Sequence, residues 1–337
     1  MSFSDEKKKQ IRHYLLEKIR DGQSSVVRRT AEAFCVTPAS VYKYLDALEA
    51  AGVVQKVKRG EYRLVDKVHE AVLRRDAGEL TSEGTVYDRY IFPYLRDLPG
   101  NVQRIWESVC SEMINNVIDH AEAETLEIVL LQNALETTVR LTDNGVGIFE
   151  KIRAHFGLVN AEEAVGELFK GKLTTDEARH SGEGIFFSSR MADTFVILSG
   201  GLVFTHNRFE DDASLVNAAQ PAKGTTVCMT LANDSQKQAK DVFDQYAGVD
   251  GGFTKTRIPL NHFFESAPVS RSQAKRLLGR LEQFREVELD FEGLDWMGQG
   301  FAHELFVVYP NTHPDVRLIP LNMNEDVRKM YAHVTTS

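Results

Sequence analysis

No apolar run in this 337-residue chain approaches the ~20 residues needed to cross a bilayer, which argues against a membrane span. The opening MSFSDEKKKQ lacks the apolar core of a secretory signal, so a cytoplasmic location is expected. Cysteine is scarce. Cys35, Cys110 and Cys228 are odd in number, far apart and without metal-ligand spacing. That excludes a disulfide framework and fits thiols in a reducing compartment. Repeats and low-complexity tracts are also missing. What is present is an ordinary globular balance, 42% apolar and 26% charged, over a length that suits two or three domains. A net charge of −9 argues against a surface that grips nucleic acid all over, but the charge is uneven. Residues 1–65 carry 13 Lys/Arg against 8 Asp/Glu, and the remainder 27 against 41. A basic head on an acidic body is expected where one part of a protein meets phosphates and the rest does not.

Within that head, Ile11, Leu15 and Ile19 have the spacing of an amphipathic helix, and a second helix is expected over Ser25–Phe34. In the stretch that follows, Thr37 is placed to cap a helix with Pro38 at its first position, and Gly52 to end it. Val53–Val57 and Tyr62–Val65 alternate around Lys58-Arg59-Gly60, as in a hairpin with a basic tip. Three helices followed by a basic hairpin resemble the winged helix-turn-helix family. The resemblance implies duplex DNA as a partner. It makes Ser40, Tyr42 and Lys43 candidates for base contacts, and Arg28, Arg29, Lys56, Lys58 and Arg59 candidates for phosphate contacts. A module of this kind used for protein contacts is the alternative. Residues 66–100 read as a helical connector whose second half packs on the next domain.

Four motifs then follow in order. SEMINNVIDHA places Glu112, Asn116 and Asp119 at i, i+4 and i+7, on one face of a helix. Asn is a poor helix-interior residue, and a magnesium ion, which takes few protein oxygens, would explain it as well as a solvated polar face does. DNGVGIF sets Asp143 at a strand end, with Gly145 and Gly147 allowing close backbone approach. HSGEGIFF puts Gly182 and Gly184 at a helix start, where free N–H groups suit phosphate. KGTTVCMTL opens a strand with Gly224 and two threonines. Each motif alone is an ordinary helix or turn, but their order over residues 101–232 resembles the GHKL ATP-binding fold of gyrase, the heat-shock chaperone and histidine kinases. That resemblance implies an α/β sandwich with a mixed sheet, and ATP with Mg²⁺ as ligands. It implies Glu112 as general base, Asn116 as magnesium ligand and Asp119 beside the nucleotide. Asp143 would read the adenine, Gly145 and Gly147 would turn beneath it, Gly182 and Gly184 would meet phosphates, and Thr226 would lie near the adenine. Between the second and third motifs the family carries a lid. Here Lys170 and Lys172 are either phosphate contacts or solvated charges.

No phosphorylatable His precedes this domain in a dimerising helix, so a histidine autokinase is not expected. Ser111, Glu112, Asn116 and His120 look instead like the anti-sigma-factor Ser/Thr kinases. Lys237–Tyr246 suggests a helix, and Arg271–Phe284 an amphipathic one. Across 250–337, a strand ending in Asp290, a Gly-flanked turn and a helix resemble the STAS domain. The turn reads Met297-Gly298-Gln299-Gly300, with no hydroxyl where that family is phosphorylated, although Ser270 and Ser272 are nearby. The expected whole is multi-domain: a mainly α winged helix-turn-helix, a GHKL α/β sandwich and a small α/β STAS-like domain. It looks like a bacterial regulator whose nucleotide state controls DNA binding, with a homodimer and a protein partner through the STAS-like domain also implied. A Ser/Thr kinase and a DNA-remodelling ATPase are the rival readings.

Overall fold

The computed structural model describes residues 4–173, 182–205, 223–248, 252–264 and 266–336. The expected lid falls partly on residues 174–181, which lie outside the described residues.

At the N-terminal end, helices α1 (Asp5–Arg20), α2 (Val26–Phe34) and α3 (Pro38–Ala50) precede an antiparallel hairpin of β1 (Val54–Lys58) and β2 (Glu61–Leu64). The Thr37 hydroxyl accepts from the Ser40 backbone N–H at 3.2 Å, and Gly52 takes φ +68° just beyond the end of α3. These are the start and stop that the residues dictate. Leu15, Ile19, Leu45 and Leu48 form a small separate core, completed by Leu135 from elsewhere in the chain. Two polar contacts flank that plug. Arg20 pairs with Glu136 at 3.6 Å, and the Asn133 amide donates to Asp66 at 2.9 Å.

The central sheet consists of β3 (Lys67–Arg74), β4 (Thr125–Gln132), β5 (Glu136–Asp143), β6 (Thr194–Ser199), β7 (Leu202–Thr205) and β8 (Thr225–Ala232). Its order is β3-β4-β5-β8-β6-β7, and every neighbouring pair runs antiparallel, not mixed as expected. The connector also differs from its reading. It begins as β3, an edge strand, before turning helical at α4 (Glu83–Tyr90) and α5 (Phe92–Leu95). Val68 and Val72 of β3 are exposed while Leu73 is buried, so apolar residues on both faces blur the period of two. The second half does pack inward, through Val86, Tyr87, Ile91 and Leu95. One face of the sheet shares its core with α6 (Gly100–Asn115), whose last turn continues as a π-helical turn over Asn116–His120. Helices α7 (Ile148–Phe156), α8 (Ala161–Lys170) and α9 (Gly184–Met191) complete this layer.

After α10 (Ala239–Tyr246), strands β9 (Lys255–Pro259), β10 (Glu286–Asp290) and β11 (Arg317–Leu321) form a parallel sheet in the order β11-β10-β9. It carries α11 (Arg271–Leu278), α12 (Gln299–His303), α13 (Tyr309–Thr312) and α14 (Glu325–Thr335). The helix expected over Arg271–Phe284 stops at Leu278. Arg280 sits at φ +67°, outside the helical region, and only a 3₁₀ turn follows at Leu281–Gln283. The apolar residues of this unit are continuous with the central core, whereas those of the N-terminal unit are not.

Candidate functional site

A cavity of about 320 Å³ lies between α6 with its π turn, the starts of α7 and α9, and strands β6 and β8. Asp143, the last residue of β5, is 5% exposed at its wall. Its Oδ1 accepts from the Gly145 N–H at 2.7 Å, yet burial raises the carboxyl above the ordinary carboxylate range against the pull of N–H groups of Gly145 and Thr225. A buried acceptor of this kind suits a neutral N–H donor from a planar base. The neighbouring Asn144 side chain accepts from the Glu124 and Thr125 N–H groups at 2.9 and 3.0 Å, tying the turn to the start of β4. Any side chain at Gly145 would overlap the Ala121 carbonyl, so the turn after β5 lies hard against the end of the π turn. Gly147, at φ +86°, lines the cavity beside Ser199, whose hydroxyl donates to the Gly224 carbonyl at 2.7 Å.

Glu112 and Asn116 reach the same cavity from α6. A β-carbon at 184 would overlap the Glu112 carboxylate, which therefore lies across the first residue of α9. Only glycine permits that approach. Gly182 and Gly184 both line the cavity beside it. The Asn116 Nδ2 is buried with no hydrogen-bond partner. Leaving such a group unpaired costs ~1–3 kcal/mol, which a ligand supplying oxygen atoms would offset. These residues fit a Mg-nucleotide: an acceptor for the base, an amide for the metal or phosphates, and a carboxylate near the far end.

Four expected residues lie elsewhere. Asp119 is exposed and borders a neighbouring groove instead of the cavity. The π turn adds a residue to the helical repeat and carries Asp119 off the face it would occupy in an α-helix. Thr226 points to the opposite sheet face, where its hydroxyl meets that of Thr142 at 3.1 Å. Its neighbour Thr225 takes the cavity position and accepts from the Ile148 N–H at 3.0 Å. Strand alternation decides between adjacent threonines, and the sequence alone did not say which one faced inward. Lys170 is 2% exposed, and its ammonium donates to Glu167 at 2.5 Å and to the carbonyls of Arg276 and Gly279 at 3.2 and 3.0 Å. Lys172 donates to the Gln283 carbonyl at 3.0 Å, its ammonium within 5.5 Å of the Phe253 and Phe284 ring centres. Both lysines thus face the C-terminal unit. Sequence reading missed Thr225 and Lys151, a cavity-lining lysine in the first turn of α7.

On the N-terminal unit, Tyr42 and Lys43 are exposed on α3, and Lys56 and Arg59 on the hairpin. Lys58 pairs with Glu61 at 2.8 Å, Arg28 with Glu32 at 3.4 Å, and Arg29 donates to the Ser24 carbonyl at 3.3 Å. The Ser40 hydroxyl is 2.9 Å from that of Thr37 in the helix cap. In the C-terminal unit, Asp290 ends β10, held by Arg257 at 2.6 Å and Asn322 at 2.8 Å. Among the described residues no helix is long and apolar enough to cross a membrane.

Residues 101–235 match the family described as histidine kinase-, DNA gyrase B-, and HSP90-like ATPase. Residues 273–328 match a STAS-like domain of unknown function. No curated protein matches the chain. The central unit is therefore a GHKL-type ATPase domain, which implies ATP binding, and it is followed by a STAS-like domain; the pair fits a nucleotide-binding regulator.

Proposed function

We propose that the nucleotide state of the GHKL domain controls DNA binding by an N-terminal winged helix, with Mg²⁺ accompanying ATP and Asn116 as its protein ligand. The observation that carries this reading is Leu135. It sits in the N-terminal core one residue before β5, and β5 ends at Asp143 in the cavity, eight residues after it. One strand thus joins the two units directly. The C-terminal unit supports the same reading from the other side. The Arg280 guanidinium donates to the Lys172 carbonyl and the Thr256 hydroxyl to that of Lys170, each at 2.8 Å, while Leu173 just beyond lines the cavity. The chain leading into the expected lid is gripped by the STAS-like domain. A homodimer on a palindromic site would be the natural assembly for such a head.

For ATP to switch DNA binding it must bind two states unequally, since equal affinity shifts nothing. The test is a mobility shift at fixed salt with and without saturating ATP. Identical DNA affinities would sink the reading. Leu135→Ala should remove ~2–5 kcal/mol of packing from the N-terminal core. ATP affinity should survive that change while the effect of ATP on DNA binding is lost. A retained ATP effect would show that coupling runs by another route.

The rival reading, a Ser/Thr kinase acting on its own tail, finds little support in the tail hydroxyls. Ser270 completes a capping box with Gln273 at the start of α11, and the Met297–Gly300 turn carries no hydroxyl.

A pH dependence follows from Asp143. Its carboxyl titrates above the ordinary range, and protonation removes the negative acceptor that an adenine amino group needs. ATP affinity should therefore decline, as pH falls, at a higher pH than the ~3.9 of a free Asp would give. Calorimetry across the acid range, with the fold monitored in parallel, checks the direction.

A further inference from the structure

We infer that Lys151 is the cation that meets the phosphates next to the ribose. The inference deepens the ATP-binding reading and rests on it. Among the described residues that line the cavity, Lys151 is the one lysine or arginine, since Lys170 and Lys172 are turned to the C-terminal unit. The remaining charged lining consists of Glu112 and Asp143, and the adjoining groove adds Asp119, Glu122 and Glu150. A polyphosphate entering such surroundings meets several carboxylates and needs positive charge fixed on the wall. Lys151 borders both the cavity and the groove, so its ammonium lies where the two open into each other.

In this structure the ammonium donates to the His120 carbonyl and to Glu122. Glu122 is 68% exposed, and ion pairs of that kind are weak, so a phosphate can displace it readily. The position along the helix selects which phosphate. Lys151 sits at His120, eight residues beyond Glu112, and at 1.5 Å per residue that is about 12 Å from the carboxylate at the far end. Its partner His120 immediately precedes Ala121, whose carbonyl lies against Gly145 in the turn that follows Asp143, the base end of the cavity. The first phosphates are the ones within its reach.

Lys151→Met keeps the apolar stem and removes the charge. Binding of ATP, ADP and adenosine to wild type and variant is measured by calorimetry, with thermal unfolding as the check on folding. Affinity for ATP and for ADP should each fall roughly ten- to a hundredfold while adenosine is bound as before. Glu122→Gln, which releases the ammonium from its resting partner, should bind ATP as tightly as wild type or more so. Equal loss for adenosine would make Lys151 a structural support and overturn the inference, as would unchanged ATP and ADP affinity. If ATP loses affinity and ADP does not, the contact lies at the terminal phosphate and the assignment falls. A wild-type protein that does not bind ATP overturns the ATP reading and the inference with it, whereas ATP and ADP binding that Lys151→Met leaves unchanged overturns the inference alone.

Discussion

Glu112→Ala is expected to bind ATP at near wild-type affinity and to hydrolyse it ~10²–10⁴-fold more slowly, the range for loss of a general base. The carboxylate is set one turn before Asn116 and lies across the start of α9, where free N–H groups would receive phosphate oxygens. It is on the cavity wall furthest along α6 from the Asp143 turn, which places it at the terminal phosphate if the base is held by Asp143. A carboxylate there can take a proton from an attacking water. It also repels the phosphates, so its removal should not weaken ground-state binding and can strengthen it. Release of labelled terminal phosphate, read beside direct binding, separates the two effects. Unchanged release would make Glu112 a structural neighbour of Gly184. Label retained on the protein would favour the kinase reading over hydrolysis.

Asp143→Asn should lower ATP affinity by roughly ten- to a hundredfold, because a hydrogen bond to a charged acceptor, worth ~1.5–3 kcal/mol, is replaced by a partly mismatched amide. The same substitution should not cost stability. Burial raises the carboxyl in the folded state, so the folded chain holds this proton more tightly than the unfolded chain does. Ionisation then disfavours folding, and stability contributed by this residue falls as pH rises from the ordinary Asp range through the raised value. At neutral pH the uncharged Asn avoids that penalty, and thermal unfolding should occur at the wild-type temperature or above it. Lost affinity together with a lowered unfolding temperature would mean that Asp143 builds the turn and does not read the base. Near-normal affinity would remove it from the site.

Much of this was legible in local chemistry. Thr37 with Pro38 at one end, and Gly52 just beyond the other, mark α3 because caps and breakers act within a single turn. Glycines at 145 and 184 announce close approach, and the structure supplies the Ala121 carbonyl and the Glu112 carboxylate that require it. Order along the chain was enough to identify the ATPase domain, since the four motifs are local and their sequence spacing survives folding. What stayed hidden depended on partners distant in sequence. β3 could not be told from a helical connector, because an edge strand buries only one of its valines' neighbours and its identity comes from pairing with β4.

The amino-acid sequence by itself determined the ATPase motifs, the boundaries of α3 and the candidacy of Asp143, Asn116 and Glu112, which line one cavity. Tertiary structure alone decided which groups around them face inward. Strand pleating chose Thr225 over Thr226, and a π turn moved Asp119 out of the cavity. Packing of the C-terminal unit turned Lys170 and Lys172 away from it, because an ammonium taken out of water must find acceptors wherever they lie, and here the carbonyls of Arg276, Gly279 and Gln283 lie on α11 and the segment after it. Charge and residue type are written in the chain, but the direction of a side chain is set by neighbours that only folding brings near.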